Sequence, residues 1–129
     1  MIVDSSAIVA ILRGEPEAAD FSRAIVLSGK AAMTAATWVE AAMVVEGRAE
    51  GAADARFDDL IRDLGITIEP VTMTLARGAR QAFRRYGRGR HPARLNFGDC
   101  FSYALAQERG EPLLFKGDDF AQTDVKRAI

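Results

Sequence analysis

The chain has 129 residues, 49% of them hydrophobic and 27% charged, which fits one ordinary globular domain with a real core. It has no apolar run long enough to cross a membrane, and its single cysteine, Cys100, excludes an internal disulfide and a cysteine-built zinc site. The net charge of −1 hides an uneven distribution: residues 1–69 carry twelve acids and six bases, residues 70–98 seven arginines and no acid, residues 99–129 six acids and four bases, a pattern that suggests a polyanionic partner near an acidic centre.

In chain order, "MIVD" reads as a short strand. It already looks like fold rather than a basic leader, so no signal peptide is expected and the expected compartment is the cytoplasm. "SAIVAILRG" is a short apolar helix ended by Gly14, and "EPEAADFSRAIVLSG" restarts a helix with Pro16 in its first turn. "KAAMT" can be a strand. "ATWVEAAMVVEGRAE" reads as a helix with Trp38, Ala41, Ala42 and Val45 on one side. In "AADARFDDLIRDLG" the spacing of Phe57, Leu60, Ile61 and Leu64 predicts an amphipathic helix stopped by Gly65. "ITIEPV" is a strand, "TLARGARQAFRRYG" a helix and "RGRHP" a loop. "NFGDCFSYALAQERG" is a helix closed by Gly110, "PLLFKG" a strand, and "DVKRAI" offers a short last strand. Strands that alternate with helices predict a single α/β domain built on a parallel sheet. Sites in such sheets gather at the carboxyl ends of strands. Asp4 closes the first strand there, and Asp118 and Asp119 follow "LLFK".

Two further acids interrupt segments that are otherwise apolar: Glu40 among Trp38, Val39, Ala41 and Ala42, and Asp99 among Phe97, Cys100 and Phe101. Each acid alone has a plain structural explanation: a helix N-cap for Asp4, an exposed helix position for Glu40, a favourable dipole position for Asp99. Together they read as a cluster. Clustered carboxylates repel and call for a cation or shared protons, and oxygen ligands select hard ions such as Mg²⁺ or Mn²⁺. Arg77, Arg80, Arg84 and Arg88 recur at spacings of three and four, so they are expected on one helix face, with Arg90 and Arg94 extending the patch. Beside an acidic metal centre, that face reads as a nucleic-acid backbone contact. His91 reads as a loop residue or a backbone contact, and Cys100 as a buried filler, since no histidine partner is evident.

Four segments, "MIVDSSAIVAIL", "TAATWVEAAMVVE", "LNFGDCFSYALA" and "PLLFKGDDFAQTDV", resemble in this order the PIN-domain family, and within it the VapC-type toxin ribonucleases of toxin–antitoxin pairs. The resemblance spans residues 1–129 as one PIN domain. It implies a central parallel sheet of about five strands flanked by helices, and an endoribonuclease that depends on Mg²⁺ or Mn²⁺. Its implied partners are a cognate VapB-like antitoxin that neutralises it and an RNA substrate such as tRNA or rRNA, and it usually works as a homodimer. Carried over, Asp4 matches the first acid, Glu40 the helical acid and Asp99 the third, with Asp4 and Asp99 as direct metal ligands. The fourth falls in "KGDDF", where Asp118 is favoured and Asp119 is second. Ser5 and Ser6 match small hydroxyl positions, Thr37 a hydroxyl position one turn before the glutamate, and Asn96 an asparagine that precedes the third acid. A phosphatase of the two-aspartate kind is disfavoured because position 6 is Ser6, and a response regulator because "ITIEPVT" offers no phosphoacceptor aspartate. The remaining rival is a non-catalytic module of the same fold that binds RNA or protein, which would be expected to have lost some of the acids.

Overall fold

A computed structural model describes residues 1–47 and 52–129. Among them the sheet has four parallel strands in the order β3-β2-β1-β4: β1 (Ile2–Val3), β2 (Ala31–Thr34), β3 (Ile66–Glu69) and β4 (Leu113–Leu114). The expected last strand is reduced to a single bridge, Leu113 to Arg127, held by Leu113 N–H to the Lys126 carbonyl at 2.8 Å and Ala128 N–H to the Leu113 carbonyl at 2.9 Å. The chain steps outward from β1 to β3 and then returns to β4 on the other side of β1. The reversal makes the carboxyl ends of β1 and β4 a switch point in strand order, where open α/β sheets usually form the crevice that takes a ligand.

Side-chain alternation along the strands divides the core. Ile2, Ala32 and Leu113 face one layer with α5 (Met73–Tyr86) and α6 (Phe97–Arg109). Val3, Met33 and Leu114 face the other, with α1 (Ser5–Leu12), α2 (Ala18–Ser28), α3 (Ala35–Glu46) and α4 (Ala52–Asp63). Strands buried on both faces read as continuous apolar runs, which is why "MIV" and "PLLF" show no alternation. The α4 spacing does its expected work: Phe57 and Ile61 are buried, and Leu60 and Leu64 pack at the edge of the same layer.

Three expectations shift. Pro16 lies in the turn before α2, whose first helical residue is Ala18, because Ala18 N–H closes a turn on the Glu15 carbonyl at 2.9 Å. Helix α3 ends at Glu46 with Gly47 as its cap, and the part of the expected helix that covers "RAE" lies outside the described residues. Arg88 is not on the α5 face. The helix stops at Tyr86, and Arg88 N–H turns to the Leu95 carbonyl at 3.1 Å. No helix is long and apolar enough to cross a membrane among the described residues.

Candidate active site

Asp4 follows β1 and caps α1. Its Oδ2 accepts from Ser6 N–H at 3.0 Å and from the Ser6 hydroxyl at 2.6 Å, while Oδ1 accepts from the Ser102 hydroxyl at 2.6 Å. The residue is 1% exposed, so these donors are what compensate its burial. The cap and the cluster member expected from sequence are therefore one and the same carboxylate.

Asp99 and Asn96 form a reciprocal capping box at the start of α6: Asp99 N–H donates to Asn96 Oδ1 at 2.9 Å, and Asn96 N–H donates to Asp99 Oδ2 at 2.9 Å. This satisfies the helix start and points the carboxylate at the crevice. Burial pushes the Asp99 carboxyl up to about 7, against the Asn96 hydrogen bond, and the charges of Asp4, Glu40 and Asp119 add to the rise. Glu40 is half-buried on α3 and accepts from the Ser5 hydroxyl at 2.8 Å. Its carboxyl is raised mainly by burial, then by Asp4, with the Ser5 bond acting against the rise. The charges of Asp4, Glu40 and Asp119, from three other segments, thus all bear on Asp99, and Asp4 bears on Glu40 as well. Asp118 and Asp119 are both exposed in the turn after β4, and of the two it is Asp119 whose charge acts on Asp99.

Two supports for this site were not read from the sequence. Gly98 lies directly beneath Glu40: a methyl group there would overlap both oxygens of the Glu40 carboxylate. A glycine in the second position of a helix, where capping does not require one, was the available signal. The other is Ser102, which reaches Asp4 across 98 positions and has no local signature at all. Ser6 also does more than its sequence position suggests. Its hydroxyl donates to Asp4 and accepts from Lys116 N–H at 3.0 Å, tying the first acid to the "KGDD" turn. Lys116 Nζ in turn holds Glu15 at 2.6 Å and Glu17 at 3.0 Å.

Among the described residues, no three His, Cys, Asp or Glu side chains stand close enough together to hold one ion in these rotamers. The donor chemistry is nevertheless of one kind. Every acid at the crevice offers oxygen, Cys100 is buried with its thiol pushed up to about 11, and His91 spends Nδ1 on Ala93 N–H at 3.1 Å in its own turn. That set fits a hard divalent cation and no soft one.

Arg77, Arg80 and Arg84 are exposed on α5, while Arg85 is occupied by Asp124 at 3.0 Å. Beyond the helix, Arg88, Arg90, His91 and Arg94 line a shallow basic depression of about 550 Å³. The basic surface is a helix face continued by a loop. Trp38 packs on Phe57 at 5.7 Å and belongs to the α1–α4 layer.

The family model described as PIN domain matches residues 1–126. The chain is 50% identical over 129 residues to ribonuclease VapC42 of Mycobacterium tuberculosis, covering 99% of this chain and 98% of that one. It is 47% identical over 130 residues to ribonuclease VapC28 of the same organism, covering 100% and 98%. Among solved structures, it is similar in fold to Mycobacterium tuberculosis VapC20, described as a sarcin-ricin loop cleaving toxin, with a TM-score of 0.75 at 16% identity over 96% of this chain and 95% of that one. It also matches a chain of a toxin–antitoxin complex from Klebsiella pneumoniae, with a TM-score of 0.65 at 21% identity over 95% and 92%.

Proposed function

The chain belongs to the PIN-domain family and is a homologue of the VapC ribonucleases, and from that premise we propose that it is a divalent-metal-dependent endoribonuclease, the toxin of a toxin–antitoxin pair in the cytoplasm. The observation that carries this reading is the convergence of acids from separate segments on Asp99: burial, with the charges of Asp4, Glu40 and Asp119 adding, raises its carboxyl to about 7, a state that a bound cation relieves. Mg²⁺ or Mn²⁺ would supply Lewis acidity, activating water and offsetting charge on the phosphoryl group. Asp4 and Asp99 are the residues that would hold it, each carboxylate fixed by a backbone N–H at its own helix start, Ser6 N–H for Asp4 and Asn96 N–H for Asp99. Glu40 and an acid of the "KGDD" turn complete the set, through water or at a second ion. For that fourth position the sequence favours Asp118, and the reach of Asp119 to Asp99 supports Asp119. Arg77, Arg80, Arg84 and Arg88 would take the RNA backbone.

A homodimer is supported by an apolar surface that flanks Glu40. Phe97 is 78% exposed and Met43 67%, and Phe97 is shared by two apolar grooves of about 340 and 360 Å³, one with Val39, Met43 and Val44, the other with Phe83 and Phe101. Exposed apolar continuity of this kind marks an interface. The antitoxin reading draws support from the fold likeness to a chain of a toxin–antitoxin complex and is tested separately, by whether growth arrest on expression is relieved when the adjacent gene is co-expressed.

The enzyme reading is tested by incubating the purified chain with total RNA in Mg²⁺ and in EDTA, and mapping the ends. Cleavage only in Mg²⁺, leaving 5′-phosphate and 3′-hydroxyl ends, is expected. RNA that is bound but never cut would assign the chain instead to a binding module of the same fold.

A further inference from the structure

Behind the crevice runs a row of hydroxyls that connects elements distant in sequence. Thr34 Oγ1 lies 2.9 Å from Thr37 Oγ1, Thr37 Oγ1 lies 3.2 Å from Ser102 Oγ, and Ser102 Oγ lies 2.6 Å from Asp4 Oδ1. Thr34 and Thr37 are fully buried and Ser102 nearly so.

The proton order in this row follows from its two ends. Each hydroxyl has one proton to give. At the Asp4 end the Ser102 hydroxyl donates to Oδ1. Ser102 has then spent its proton, so Thr37 donates to Ser102 and Thr34 donates to Thr37. At the far end Thr34 Oγ1 accepts from Thr37 N–H at 3.0 Å, as the cap of α3. Each hydroxyl in the row donates once and accepts once, all in a single direction, and such chains polarise cooperatively in a low-dielectric interior.

We infer that Ser102, fed by Thr37, is a positioning residue: the hydroxyl chain fixes the orientation of the Asp4 carboxylate and thereby sets the affinity of the crevice for a divalent cation. Local geometry alone does not account for it. Ser6 already satisfies the α1 cap on Oδ2, and the chain acts on the other oxygen, Oδ1, from α6. It couples the end of β1 to the start of α3, which carries Glu40, and to α6, which carries Asp99. Three of the acids are thereby referenced to one buried frame. Hydrogen-bond partners of ligating groups elsewhere change metal affinity by about 10–100-fold when removed, and this chain is expected to act in that range.

The inference rests on the proposed metal site, and the test separates the two. Mn²⁺ binding to the full chain, without RNA, is measured calorimetrically well below the melting temperature for wild type, Ser102→Ala, Thr37→Val and Ser102→Thr. Melting in EDTA is recorded for each. Weakening of Mn²⁺ binding by about 10-fold or more in Ser102→Ala, a smaller loss in Thr37→Val and recovery in Ser102→Thr support the inference. Variants that melt earlier yet bind Mn²⁺ as tightly as wild type overturn it, because the hydroxyls would then serve the fold alone. A wild-type chain that binds no Mn²⁺ overturns the metal site itself, and this inference with it.

Discussion

The acidic crevice and the arginine surface stand on opposite physical terms. At the crevice each charge is withdrawn from water and held: Asp4 by three donors, Asp99 by a capping box, Glu40 by Ser5 above Gly98. On α5 and the following loop, Arg77, Arg80, Arg84 and Arg88 are all exposed. Phosphoryl chemistry needs groups fixed in place before the substrate arrives. Backbone binding needs only enough positive charge within reach of phosphates. Changes at the crevice should therefore be steep and specific, and changes on the arginine surface shallow and additive.

The largest effect that keeps this comparison intact is at the acids themselves. Asp4→Asn and Asp99→Asn are each expected to lower RNA cleavage in Mg²⁺ by about three orders of magnitude, a drop comparable to removing a principal electrostatic contributor elsewhere, as read from single-turnover rates. Cleavage near the wild-type rate by either variant would place the chemistry elsewhere. Gly98→Ala comes next. The added methyl displaces only the end of the Glu40 side chain, so a fall in cleavage of about 10–100-fold is expected, comparable to removing a supporting hydrogen-bond partner, with little change in melting temperature. Asp119→Asn is expected to cost more than Asp118→Asn in the same assay, and the reverse order would return the fourth position to Asp118. The double change Arg84→Gln and Arg88→Gln should weaken RNA binding only modestly. It should also flatten the slope of log affinity against log salt by about 0.7 for each phosphate of a single strand that is no longer neutralised. An unchanged slope would move the basic surface to other residues.

Without metal, the buried Asp99 makes stability depend on pH. Asp99 has a folded value of about 7 against an ordinary 3.8. Its contribution is therefore fully present below about pH 4 and is lost as pH rises through 7. In EDTA the chain should be less stable at pH 8 than at pH 5.5. Asp99→Asn should remove much of that dependence and be the more stable protein at pH 8, by an amount on the order of 2 kcal/mol. Denaturant melts at the two pH values would show it, and a wild type indifferent to pH over this range would contradict the electrostatic account of the crevice.

How far the sequence carries depends on the range of the interaction. Asp4, Glu40 and Asp99 were legible because each puts a charge where the surrounding pattern demands burial. Asn96 and Asp99 were legible as a helix start. The parallel sheet followed from the alternation of elements, and the fold placed its carboxyl edge as expected. Interactions between distant segments were not legible. Ser102 meets Asp4 across 98 positions and Thr37 meets Ser102 across 65, and no periodicity encodes either. Arg88 satisfied the helical spacing, yet tertiary pairing of its backbone with Leu95 ended the helix before it. The last strand shrank to one bridge because "DVKRAI" pairs with Leu113 alone.

Neutralisation of the crevice acids by a divalent ion is tested most directly by the melting temperature at pH 8, with and without excess Mg²⁺ or Mn²⁺, of the wild type and of Asp99→Asn. An ion that binds only the folded state must stabilise it. A rise is expected in wild type and little or none in the variant. A wild type whose melting ignores the ion, or a variant stabilised as much as wild type, would contradict it.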